Sequence, residues 1–231
     1  MALFTPAQNL THGFNAVDSW ICDSLVPADS TLEGALKANA AAGLDEIDVA
    51  PNQGRMLYLL AKMSRAKRVL EIGTLGGYSA IWLAKALPTD GHLVTLEVSP
   101  ETAKVAESNI KNAGFSHMVE VKVGPALDTL TQMEKDPATG QFDLVFIDAD
   151  KQNHHNYLLW AVKLGHVGTV VVLDNVVRGG RMVDPNDHTA SAEGVRKAFE
   201  VMKNDKRLES TAIQTVGTKG WDGFAFALVV E

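Results

Sequence analysis

Phe142-Asp143-Leu144-Val145-Phe146-Ile147-Asp148-Ala149-Asp150-Lys151 is the stretch from which the rest of the chain can be read. Its first six residues, apolar except for Asp143, have the length and composition of a strand buried on both faces of a sheet. Two carboxylates and an ammonium follow where that strand surfaces. Open α/β sheets bind ligands at the carboxyl edge of their strands, so the position of these charges is as informative as their identity. A second apolar run, Val170-Val171-Val172-Leu173, ends in Asp174-Asn175. If the two strands are neighbours, Asp148, Asp174 and Asn175 converge. Three hard oxygen donors at one sheet edge suit Mg²⁺, Mn²⁺ or Ca²⁺, and suit zinc poorly.

Strands and helices alternate on either side of this stretch. Strands are expected at residues 68–72, 92–97, 119–123, 142–147 and 169–173, followed by two late ones at 210–216 and 224–230. Helices are expected between them, one of them opened by Ser99 as N-cap with Pro100 in the first turn. This pattern predicts an α/β fold: a mostly parallel seven-stranded sheet with helices on both faces and an antiparallel edge made by the late pair. Three helices precede the first strand. Those at 11–26 and 32–42 form a leader that caps a site, makes a subunit contact or packs on the core. The third begins at Pro51 and buries Met56, Leu57, Leu60 and Met63. Residues 176–189 hold glycines, arginines and a proline without periodicity, as an active-site loop does.

The 231 residues, 46% of them hydrophobic, are enough for one large domain, read here as a leader over residues 1–50 and a ligand-binding core over 51–231. A formal charge of −7 with dispersed lysines and arginines gives no footprint for nucleic acid. Cys22 is the single cysteine, so no intramolecular disulfide forms, which fits a reducing cytoplasm. With no basic-then-apolar amino terminus and no stretch of membrane-spanning length, a cytoplasmic protein without a membrane partner is expected.

The first strand runs into Gly73-Thr74-Leu75-Gly76-Gly77 and then a helix, a nucleotide-type opening. A dinucleotide fingerprint needs glycine at the first, third and sixth positions, and Leu75 and Tyr78 occupy the last two. This disfavours an NAD(P)-dependent oxidoreductase. Glu71 lies within the strand end and Glu97 closes the next strand, where a carboxylate can accept hydrogen bonds from both ribose hydroxyls. A ligand with a ribose, no phosphate and a cationic amino-acid tail matches these acids. S-adenosylmethionine is such a ligand.

Glu71-Ile72-Gly73-Thr74, Gly77-Tyr78-Ser79, Gly124-Pro125-Ala126-Leu127, Phe146-Ile147-Asp148-Ala149-Asp150-Lys151 and Asp174-Asn175 occur in that order. Together they resemble the cation-dependent O-methyltransferases of the caffeoyl-CoA type over residues 51–185, with catechol O-methyltransferase a more distant likeness. The resemblance implies a class I methyltransferase sheet, commonly in a homodimer, with S-adenosylmethionine and a divalent cation. It makes Asp148, Asp174 and Asn175 the metal ligands and puts Lys151, with Asp148, beside the reacting hydroxyl. Val49, Glu71, Gly73, Thr74, Ser79, Glu97, Ala126, Asp148, Asp150 and Tyr157 match its cofactor contacts. Where the caffeoyl-CoA enzymes tend to have tryptophan after the Asp-Asn pair, this chain has Arg178, a cation at the expected acceptor contact. The leader, where an acyl-CoA is expected to bind, matches poorly.

The expected reaction is transfer of a sulfonium methyl to a hydroxyl of a vicinal dihydroxy aromatic, a small phenolic molecule. A non-catalytic nucleotide-binding protein is the rival, but it would not require Asp148, Asp174, Asn175 and Lys151 together. His154-His155 reads as a solvated helix start, and Trp221, between Gly220 and Gly223, as part of the final hairpin turn.

Overall fold

The computed structural model describes residues 10–231. The part of the expected leader at residues 1–9 lies outside the described residues. Three helices come first: α1 (Leu10–Leu25), α2 (Ser30–Ala41) and α3 (Pro51–Met63). Asp29 caps α2 by accepting from the amides of Thr31 and Leu32, and Pro51 opens α3 in the first turn, where no amide is needed. Strands and helices then alternate: β1 (Arg68–Ile72), α4 (Tyr78–Ala86), β2 (His92–Glu97), α5 (Pro100–Asn112), β3 (Val119–Val123), α6 (Ala126–Lys135), β4 (Leu144–Ile147), α7 (His154–Leu164), β5 (Val170–Asp174) and α8 (Ala190–Asn204). The hairpin of β6 (Leu208–Gly217) and β7 (Gly220–Val229) closes the chain.

The seven strands form one sheet in the order β3-β2-β1-β4-β5-β7-β6. The first five strands are parallel, and β7 pairs antiparallel with both β5 and β6. Strand order therefore reverses between β1 and β4, the position at which an open α/β sheet leaves a crevice for ligand. Every residue of β4 is buried, as a central parallel strand requires, whereas β3 at the edge is half open. One face of the sheet packs Leu130, Leu158 and Val195 from α6, α7 and α8; the other packs Leu57, Trp82, Leu83 and Ile110 from α3, α4 and α5. Among the described residues no helix is long and apolar enough to cross a membrane.

Register brings the functional ends level. Ile72 pairs with Ile147, and Ile147 with Leu173, so Gly73, Asp148 and Asp174 leave three adjacent strands at the same height. Gly73 has φ +101°, and a Cβ there would run into the carbonyl oxygen of Asp148, so only glycine lets the two chain exits lie side by side.

Four features differ from the sequence reading. Met63, expected on the buried face of α3, is exposed, and the buried residues of that helix are Gly54, Leu57 and Ala61. The hairpin strands are longer than expected, because most of edge strand β6 is exposed and carries no alternation to mark it. Trp221 lies within β7, paired with Val216, while Thr218 and Lys219 make the turn. Its indole donates to Gln214 Oε1 at 3.0 Å, and its ring lies against Gly180 of the 176–189 loop. His154 is completely buried, not solvated. The 3₁₀ turn ahead of it, Lys151–Asn153, is packed under α8, whose Gly194 rests on the backbone of Lys151 and Gln152 so closely that a Cβ would overlap the Lys151 carbonyl. Burial holds His154 neutral, with its pKa lowered to about 3.

Candidate active site

A cavity of about 900 Å³ opens at the carboxyl ends of β1, β2 and β4. Of the expected site residues, Val49, Gly73, Thr74, Ser79, Glu97, Ala126, Asp148, Asp150, Lys151, Tyr157, Asn175 and Arg178 all line it. Glu71 lies buried beneath the glycine loop, and Asp174 faces a second, smaller cavity of about 270 Å³ that shares Asn175 with the first. Sequence reasoning missed several lining residues, among them Ile47, Asp48, Thr102 and Asp128. Asp48 precedes Val49 directly and could have been found from that adjacency. Asp128 and Thr102 sit on helices, where nothing local marks them.

The glycine loop is fixed by carboxylates. Glu97 Oε2 accepts from the Leu75 amide at 2.9 Å and Oε1 from the Ser99 amide at 3.0 Å. The side chain that ends β2 thus pins the loop after β1 and still borders the cavity. Glu71 Oε2 accepts from the Thr95 hydroxyl at 2.6 Å, while Oε1 has no partner among the described residues. Burial pushes its pKa up to about 7. The Thr74 hydroxyl is taken by Thr95 Oγ1 at 2.6 Å, leaving its backbone to border the cavity. Farther along the wall, Tyr157 donates its hydroxyl proton to Asp150 Oδ1, and burial together with that carboxylate raises the phenol pKa. Asp48 is held by the amide of Asn39, which itself accepts from Asn109, a residue that also donates to Gly76. The leader is therefore tied to the glycine loop.

At the other end, Asp148 and Asp174 leave neighbouring parallel strands. Lys151 Nζ donates to Asp148 Oδ1 at 2.6 Å. Asp174 Oδ1 accepts from the Asn175 amide at 2.7 Å and Oδ2 from Gln53 Nε2 at 2.6 Å. Burial, and then the charge of Asp148, push the Asp174 pKa up to about 7; burial also raises that of Asp148, against the pull of Lys151. Among the described residues no three His, Cys, Asp or Glu side chains form a metal-binding group, so a cation here would rely on two carboxylates and the amide of Asn175. That donor set fits a hard divalent cation, whose charge would relieve the repulsion between the buried Asp174 and the half-buried Asp148. Asn175 and Arg178 both adopt positive φ, at 56° and 50°, which turns the chain sharply as it leaves β5. Arg178 lines the larger cavity, and its Nε has no partner among the described residues.

A sheet of this order, with a carboxylate closing β2 and a glycine loop after β1, defines a class I S-adenosylmethionine-dependent methyltransferase. The chain belongs to the O-methyltransferase family, whose model matches residues 25–225. It is similar to a catechol O-methyltransferase of Mycobacterium tuberculosis, with 51% identity over 213 residues, covering 92% of this chain and 94% of the relative. Against caffeoyl-CoA O-methyltransferase 2 of Petunia hybrida the identity is 38% over 137 residues, covering 59% and 57% of the two chains. An O-methyltransferase from Bacillus cereus, solved in complex with SAH, superposes with a TM-score of 0.93 at 48% identity, covering 94% of this chain and 99% of that one. The oxidoreductase and non-catalytic readings are set aside by this membership.

Proposed function

We propose that the chain methylates a hydroxyl of a vicinal dihydroxy aromatic, with a divalent cation held by Asp148, Asp174 and Asn175. The observation that carries this reading is the pair of carboxylates on adjacent strand ends, Asp174 buried and Asp148 half-buried, both raised in pKa, with Asp148 lining the cavity that Glu97 also lines. The names of the M. tuberculosis and Petunia relatives, which specify catechol and caffeoyl-CoA, support it.

A phenol of pKa about 10 must lose its proton near pH 7, which costs about 4 kcal/mol. When bound, S-adenosylmethionine supplies an electrophilic methyl on sulfur, and the cation supplies Lewis acidity that favours the phenolate. The protein's own residues do the rest. Glu97, fixed by two backbone amides, is held ready to receive the ribose hydroxyls. Glu71, beneath the loop, is a buried carboxyl whose ionised form a cationic tail lying beside it would favour. Lys151, anchored on Asp148, holds positive charge beside the oxygen that gives up its proton. The cavity walls align donor and acceptor, a positioning effect that reaches roughly 7–11 kcal/mol in well-oriented pairs.

The reading is tested with a panel of acceptors. A hard cation held by two carboxylates and an amide would still accept further oxygen donors, and two adjacent substrate hydroxyls could supply them. Caffeate-like and simple catechols are expected to be methylated and their monohydroxy analogues not. Within the panel, Arg178 should favour acceptors bearing a carboxylate over their neutral amides, a preference that Arg178→Trp removes. Efficient methylation of a lone phenol would overturn the chelation reading. Separately, Glu97→Ala should weaken S-adenosylmethionine binding by one to two orders of magnitude in calorimetry, since about 1.5–3 kcal/mol is typical of hydrogen bonds to a charged group. Unchanged affinity would place the ribose elsewhere.

A further inference from the structure

Among the described residues, Gln53 is the one side chain from the three leading helices that donates a hydrogen bond to either Asp148 or Asp174. It lies in the first turn of α3, half-buried, 121 residues away in sequence from the carboxylate that it holds at 2.6 Å. Its own place is fixed in turn. The Gln53 amide donates to Asn52 Oδ1 at 2.9 Å, the Asn52 side chain donates to Asp18 Oδ1 at 3.0 Å, and Asp18 Oδ2 accepts from the Thr218 amide at 2.9 Å. This chain of bonds runs around the smaller cavity and links α1 and the tip of the β6–β7 hairpin to the end of β5.

We infer that Gln53 is a positioning residue that sets the cation affinity of the site by orienting Asp174; this rests on the reading of Asp174 as a cation ligand. With Oδ1 held by the Asn175 amide and Oδ2 by Gln53, the carboxylate plane has one orientation, and each oxygen keeps a second lone pair for a cation. Without Gln53, Oδ2 loses its donor and the carboxylate plane is no longer held in the orientation that presents both oxygens to a cation. Partners of this kind behind a metal ligand are typically worth about 10–100-fold in metal affinity.

The test uses Mn²⁺ alone as probe, titrated calorimetrically into the full chain in its parent form, Gln53→Met, Gln53→Asn and Asp174→Ala. Methionine keeps the length without a donor; asparagine keeps the amide but is one methylene too short. Both Gln53 variants are expected to weaken Mn²⁺ binding about 10–100-fold, with thermal midpoints in metal-free buffer equal to that of the parent. The Mn²⁺ concentration for half-maximal methyl transfer should rise by the same factor, and kcat at saturating Mn²⁺ should return to the parent value, a split that a general structural defect would not produce. Parent-like Mn²⁺ affinity in both Gln53 variants, with Asp174→Ala impaired, overturns the role of Gln53 and leaves the cation site standing. A parent that binds no Mn²⁺, or an Asp174→Ala that binds as well as the parent, overturns the cation site and this inference with it.

Discussion

Asp174→Ala is expected to lower turnover by about 10³-fold or more, because the roughly 4 kcal/mol needed to ionise the acceptor is no longer supplied. The variant should behave as the parent does in EDTA, except that added Mg²⁺ or Mn²⁺ restores the parent and not the variant. It should also stay folded. Asp174 is a buried acid whose ionised form is disfavoured by its surroundings, so its removal relieves desolvation and repulsion between carboxylates. A thermal midpoint no lower than the parent's would separate loss of chemistry from loss of structure. Full turnover by the parent in metal-free buffer would falsify the assignment of Asp148, Asp174 and Asn175.

Lys151→Ala should lower kcat by about 10²–10⁴-fold, the range typical of a positioned proton-handling group, with little change in S-adenosylmethionine affinity. The cofactor would be held mainly at the Glu97 end of the cavity, whereas Lys151 is bonded to Asp148 at the other end. The rate of the variant should gain more from rising pH than that of the parent, since the acceptor must then ionise without the ammonium beside it. A kcat within a fewfold of the parent's would reduce Lys151 to a partner of Asp148.

The fold was legible wherever burial leaves a pattern. The unbroken apolar runs of β4 and β5 exist because those strands are covered on both faces, and the polar residues after them mark the sheet edge. The edge hairpin was read too short, because an exposed strand needs no apolar alternation. The environment of His154 was misread for the opposite reason: its cover comes from α8, some 40 residues on, and nothing near His154 announces it. Most of the residues that line the larger cavity were legible as motifs, several of them at strand ends. Gln53 was not, since a glutamine in the first turn of a helix is ordinary until the chain folds a distant aspartate against it. Arg178 was visible as a residue, but its positive φ and its unpartnered Nε belong to the folded loop alone.

The contact between Gly194 and the backbone of Lys151 also bears on the order in which the protein is made. Each of β2 to β5 pairs with a strand that precedes it in the chain. The lysine turn, however, is sealed by a helix that begins only at Ala190, and β5 gains its second neighbour only when β7, the last strand, arrives. A product truncated before Ala190 would carry the glycine loop and Glu97 but would lack both the helix that covers the Lys151 turn and the strand that flanks Asp174.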